Sequence, residues 1–237
     1  MTGQHRFIDH VFLAVLLIFP LVELRWTWPR YLARLKAGEP NARLNFYRAI
    51  MLGEWTGVLI LLATWAALGR PLAVLMLIPA SLTRFIAGMA VVLTLVGLLA
   101  MQNQAIRKRP EVLPKVRRKM AQAEALIPHT CVEQWRFRAV SITAGACEEL
   151  LFRGFLLWYF AVWVGVWPAA ILSSLVFGLG HVYLGVKQIP NTALVGMIMA
   201  VIVILSGSLW PAMLLHAAID WNSGEIGYFA LKADVEN

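Results

Sequence analysis

Residues 139–166 read AVSITAGACEELLFRGFLLWYFAVWVGV, and the fold turns on how this stretch is read. It is apolar almost throughout and longer than the roughly 20 residues that cross a bilayer as a helix. Yet it carries Glu148, Glu149 and Arg153. On insertion scales a charged side chain near the bilayer centre costs at least about 2.5–3.5 kcal/mol. Three of them in one membrane helix must therefore face partners or a wet cavity. Three further apolar runs follow, at 168–184, 191–209 and 211–221, the last opening on Pro211 as a helix start does. The C-terminal half reads as four membrane helices around a buried polar cluster.

Composition extends this to the whole chain. Of 237 residues 60% are hydrophobic and only 14% are charged, with a mean hydropathy of +0.70. An ordinary globular domain is about 45–50% apolar and about 25% charged, so the surplus has no soluble core to fill. This excludes a disordered chain and a water-soluble enzyme. Cys131 and Cys147 form no disulfide framework and no CxxC zinc motif. Upstream, apolar runs lie at 7–22, 50–68, 72–85 and 86–101. The first reads poorly as a cleaved signal peptide, because Asp9, His10 and Pro20 interrupt it and no small-x-small site follows. The piece at 72–85 is open to three readings: a span, a re-entrant piece or an interfacial segment; it could also be continuous with 86–101. The expectation is an all-α, polytopic membrane bundle of about seven to eight helices, with the buried polar cluster, and so any active site, among the C-terminal four. It divides into N-terminal membrane helices (1–102), a basic loop with amphipathic helix (103–138), a C-terminal helix bundle (139–222) and a tail (223–237).

The net charge of +8 has its own distribution. Six of the 21 basic residues lie between Arg25 and Arg48, and nine between Arg107 and Arg138. Both stretches flank apolar runs, the pattern of loops held on the cytoplasmic side. The charge thus describes orientation in an integral membrane protein, expected in a bacterial inner (plasma) membrane. Membrane lipids are expected partners and nucleic acid is not; no motif speaks to oligomeric state.

Helical spacing sorts the buried ionisable residues. Glu149 and Arg153 are four apart and can pair on one face; a purely structural ion pair is the plainest reading. Glu148 lies about 100° away and points elsewhere. His216 and Asp220 share a face of the last helix, and Phe177 and His181 repeat that spacing one helix earlier. Gly178 and Gly180 read as packing residues that admit a neighbouring helix. Asp9, His10 and Glu54 read as interfacial. A lone membrane histidine is as often a helix–helix hydrogen-bonding residue as a chemical one. Costly residues on three successive helices are harder to explain as unrelated pairs.

At these residues the chain resembles a family. Glu148-Glu149-Leu150-Leu151-Phe152-Arg153 matches the EExxxR motif of the CAAX prenyl protease and bacteriocin-processing (CPBP) intramembrane proteases. Phe177 to His181 matches its FxxxH motif, and His216 to Asp220 its HxxxN motif in the HxxxD form. The resemblance implies an intramembrane endopeptidase acting on a membrane-tethered protein or peptide. It implies Glu148 as the base that activates a water, with His181 helping to hold that water. His216 and Asp220 would stabilise the oxyanion, and Glu149 with Arg153 would fix the motif's geometry. Such donors act most strongly where water is scarce. Asp220 departs from the commoner Asn, because an ionised carboxylate would repel an oxyanion. It must be protonated, orient His216 or bind something positive. The expectation is no cofactor. Two histidines and a carboxylate are also the usual ligand set of hydrolytic zinc, which makes zinc on Glu148, His181 and His216 the alternative. A non-catalytic scaffold, or a small proton-coupled transporter with the same buried cluster, are the rival functions; the transporter predicts an inverted repeat, and none is visible.

Overall fold

The computed structural model describes residues 5–232. It holds eight helices and, among the described residues, no strand. They are α1 (Phe7–Lys36), α2 (Ala42–Ala67), α3 (Leu82–Arg107), the short α4 (Leu113–Met120), α5 (131–164), α6 (Val166–Gly180), α7 (Ile189–Ser206) and α8 (Trp210–Lys232). The helices α1, α2, α3 and α7 are long and apolar enough to cross a membrane. They turn much of that surface outward: only 6% of the most apolar window of α3 is buried within the fold. In water such faces would drive aggregation; in lipid they are the solvent-exposed side. The polar residues that lower the hydropathy of α5 and α8 are those directed inward.

Helix ends follow local chemistry. The start of α5 is set by a capping box in which Thr130 and Glu133 each satisfy the other's backbone N–H. That start lies eight residues before the expected 139. Asn41, in the left-handed region at φ 60°, starts α2 at Ala42 rather than near 50. At the other end, Gly165 at φ 82° separates α5 from α6. α6 stops at Gly180, short of the expected 184, leaving His181 just past the helix end. α8 continues to Lys232 instead of ending near Trp221. Of the expected tail, 223–232 is thus helical and 233–237 lies outside the described residues.

The segment 72–81 does not cross the membrane. After one turn at Leu72–Leu75 it runs irregularly to Ser81, the N-cap of α3. It is strapped to the turn between α7 and α8: Leu209 N–H donates to Met76 O at 3.0 Å, Ala80 N–H to Gly207 O at 3.1 Å, and Trp210 Nε1 to Leu77 O at 2.9 Å. Arg84 donates to the carbonyls of Ile204 and Leu205 beside it. At the same end Asp9, buried to 1% exposure, takes both arms of Arg70 at 2.7 Å. Asp9 is therefore a buried ion-pair partner at this end of the bundle. His10 likewise bonds the Tyr159 hydroxyl.

The opposite end gathers the basic residues. Arg43 grips both Glu133 oxygens at 3.1 Å and donates to Ala125 O, which also accepts from Tyr31. Both basic stretches therefore sit on one side of the bundle, as a shared loop face requires. The core joins α5, α6, α7 and α8, with α2 and α3 packed against α5 and α8 and α1 against α6.

Candidate active site

The carboxylate pair occupies the end of the regular part of α5. Immediately afterwards, Leu150–Leu156 forms a π-helical stretch. Such widened turns are uncommon and recur at functional sites; this one sets the turn that carries Arg153. One turn before the pair, Gly145 lets α8 approach. A Cβ there would stand 2.7 Å from Ala217 N and from Met213 O. This close crossing brings Glu149 to His216.

Glu149 is fully buried and its Oε1 accepts twice, from Arg153 Nη1 at 3.0 Å and from His216 Nδ1 at 2.8 Å. Arg153 is itself 1% exposed, and its guanidinium lies over the Phe177 ring at 4.2 Å. Gly196 on α7 makes the space: a Cβ there would meet Arg153 Nη2 at 2.7 Å. Glu149 and Arg153 thus form the expected ion pair, with the added task of aiming an imidazole from another helix.

Phe177 is central. Its ring packs against Arg153, against His181 at 4.7 Å between centroids and edge-on against His216 at 5.8 Å. Its carbonyl lies 2.9 Å from His181 Nδ1. A carbonyl only accepts, so Nδ1 carries the proton and the Nε2 lone pair is free. His216 Nδ1 likewise donates, here to the carboxylate of Glu149. Both Nε2 atoms then converge on Glu148: Oε2 lies 3.9 Å from that of His181 and 3.8 Å from that of His216. These separations exceed direct hydrogen bonds and suit a bridging water. Oε2 of Glu148 is buried and has no hydrogen-bond partner within the protein. Asp220 Oδ2 stands 3.6 Å from His216 Nε2, on the more open side. All seven residues singled out by spacing and motif meet in one cluster.

Gly178 does admit a neighbour, since a Cβ would stand 2.8 Å from Ile189 O; Gly180 does not, its nearest contact being Phe152 at 3.9 Å.

For zinc the donor types suit, since two imidazoles and a carboxylate converge here. With bonds of 2.0–2.2 Å, neighbouring ligand atoms around a tetrahedral ion lie about 3.3–3.5 Å apart. The two edges from Glu148 are 3.9 and 3.8 Å, slightly wider than that.

Comparison with known proteins finds one similarity, confined to the C-terminal half. Residues 132–222 match the family described as Type II CAAX prenyl endopeptidase Rce1-like. The segment is similar to that family. It starts at the first turn of α5, ends within α8 and contains every residue of the cluster. A match at this level implies an intramembrane endopeptidase of CAAX type. The match spans less than half of the chain, and α1 to α3 lie outside it. No curated protein and no solved structure matches the chain.

Three residues that the sequence did not place at the site also face the cluster: Glu54, read from the sequence as interfacial, and Glu23 and Tyr183. Glu54 of α2 interacts electrostatically with Glu148, His216, Asp220 and Glu23, and its Oε2 is buried without a partner. It is not interfacial. Because α2 begins at Ala42, Glu54 stands roughly 18 Å along the helix at 1.5 Å per residue. Glu23 lies in a π-helical stretch of α1, Glu23–Thr27, and interacts with Glu148. Tyr183, just beyond His181, stacks near its ring and interacts with the same carboxylates. A carboxylate inside an apolar run was the available signal for Glu54; its depth depended on a helix start that only the Asn41 turn reveals.

Proposed function

We propose that the protein is an intramembrane endopeptidase that hydrolyses a peptide bond of a membrane-tethered protein or peptide with a water activated by Glu148. The observation that carries this reading is the convergence of the Nε2 atoms of His181 and His216 on the unpartnered Oε2 of Glu148. A water between Glu148 and His181 gives a proton to the carboxylate as its oxygen attacks the scissile carbonyl. His216 meets a carboxylate at Nδ1 and others beyond Nε2. It therefore acts as an imidazolium, with Glu149 in the orienting role that a buried carboxylate plays behind a catalytic histidine. Its Nε2–H donates to the developing oxyanion. Asp220 holds that ring in place from the other side and is itself repelled by an oxyanion, which assigns it to orientation rather than donation. The proton on Glu148 then passes to the leaving amine. No metal takes part in these steps.

A site among apolar helices fits a protein or peptide substrate held at the membrane by a lipid or a span. Both basic stretches lie on one face. That face is assigned to the cytoplasm by the charge rule, in a bacterial plasma membrane. The test is cleavage of a set of lipid-tethered and transmembrane peptides by purified protein, with products mapped by mass spectrometry. Cleavage that is lost in Glu148→Ala, His181→Ala and His216→Ala and resists a chelator supports the reading. Wild-type-level cleavage by Glu148→Ala refutes the base. About one zinc per chain, lost in His216→Ala together with activity, would replace this mechanism by a metal one.

A further inference from the structure

On the side of α8 turned away from the catalytic cluster, a groove of about 650 Å³ opens between α3, α5 and α8. Its size falls in the range of built small-molecule sites, about 300–1,000 Å³. Its floor and walls are apolar: Val96, Leu99, Ile142, Leu214, Ala217 and Ala218. Ala217 and Ala218 leave the space that a larger residue on α8 would fill. None of Glu148, His181, His216 or Asp220 lines it.

One end is different. There Glu225 is clamped between two arginines, with Arg107 Nη2 at 2.7 Å from one oxygen and Arg138 Nε and Nη2 at 2.8 and 2.6 Å from the other. Two guanidiniums on one carboxylate leave one positive charge in excess, and Nη1 of each arginine takes no part in the clamp. Beside them Asn103 Nδ2 donates to Asn222 Oδ1. The amide of Asn222 thus keeps its own donors for another acceptor. The groove is therefore amphiphilic along its length, apolar for most of it and net positive at the end where the basic segment begins.

Dimensions select the occupant. Val96 and Arg107 mark the two ends along α3, roughly 16 Å apart at 1.5 Å per residue. One leaflet of a hydrocarbon core is about 15 Å thick, half of about 30 Å. A single leaflet lipid would lay an acyl chain along the groove with its phosphate at the arginines. We propose that the groove binds one anionic phospholipid, its headgroup on Arg107 and Arg138 and one acyl chain against Ala217 and Ala218. The charge excess selects an anionic over a zwitterionic headgroup, and the apolar length excludes a free phosphate as an adequate ligand. This site goes beyond the proteolytic reading and stands whether or not that reading holds.

The test is native mass spectrometry of the full chain released from nanodiscs that contain equal phosphatidylglycerol and phosphatidylcholine. One phosphatidylglycerol retained in preference to phosphatidylcholine is expected. Arg107→Gln leaves Glu225 paired with Arg138, so the fold keeps its ion pair while the excess charge disappears. Its retention of phosphatidylglycerol should fall roughly five-fold, the effect of one basic residue at an anionic headgroup. Ala218→Phe fills the apolar groove and should lose the lipid altogether, with unchanged circular dichroism as the control for folding. Equal retention of both lipids, or undiminished retention in Ala218→Phe, overturns the proposal. So does a lipid-free chain that disulfide-crosslinks to a second copy through cysteines placed at 96 and 218.

Discussion

Replacing Gly145 by alanine should disable the site without touching a reacting atom. The added Cβ would meet Ala217 N and Met213 O at 2.7 Å and Ala217 Cβ at 2.8 Å. Two of these are backbone atoms of a packed helix and cannot swing aside. Restoring ordinary contact at 3.4 Å requires α5 and α8 to part by about 0.7 Å. Glu149 lies one turn along the same face, so its 2.8 Å bond to His216 Nδ1 stretches toward about 3.5 Å, the limit for such a bond. Overpacking costs about 1–3 kcal/mol, of which the gain in helix propensity from Gly to Ala offsets up to about 1 kcal/mol. Stability alone is therefore a weak readout. Rate is the strong one: a misplacement approaching 1 Å costs on the order of 10²-fold. The assay is kcat for cleavage of a tethered peptide, with Gly57→Ala as control, since a Cβ at Gly57 meets nothing within 4 Å. A Gly145→Ala enzyme with kcat within about three-fold of wild type would refute the claim that this helix crossing sets the His216–Glu149 geometry.

The two neighbouring carboxylates should separate in thermal unfolding. Glu149→Ala strands the buried guanidinium of Arg153 and should cost about 3–5 kcal/mol, whereas Glu148→Ala removes no hydrogen bond and should unfold near the wild-type temperature. Asp220→Asn preserves an oxygen beside His216 Nε2 and should retain cleavage within roughly ten-fold, while Asp220→Ala should fall further; equal activity in both would show that the side chain orients nothing. Glu54→Gln keeps the shape of the side chain but removes a charge that interacts with Glu148 and His216. It should change the pH profile of kcat more than KM, and a profile superimposable on wild type would exclude Glu54 from the electrostatics of the site.

The C-terminal half was legible in the sequence because its helices carry charged residues where charge is expensive. Glu148, Glu149, Arg153, His181, His216 and Asp220 could not be scattered in a bilayer, and spacing by four sorted them onto faces. The partner of Glu149 across the bundle was not legible, since helical spacing relates residues within a helix and says nothing of the crossing that Gly145 permits. Helix ends were read from where hydropathy changes, yet they are set by caps. The Asn41 turn moves the start of α2 and carries Glu54 from an interface to the site. The Thr130–Glu133 box does the same for α5. The irregular strap at 72–81 is apolar enough to resemble a span. It stays unwound because its carbonyls and N–H groups are satisfied by the turn at 207–209 and by Trp210.

The most direct test of the central claim is the single-turnover rate of peptide cleavage by Glu148→Gln beside wild type, with and without a chelator. General base catalysis contributes about 10²–10⁴-fold. The account predicts a loss of that order in Glu148→Gln, with the fold intact and the wild-type rate unaffected by the chelator. Cleavage by Glu148→Gln at the wild-type rate would contradict it.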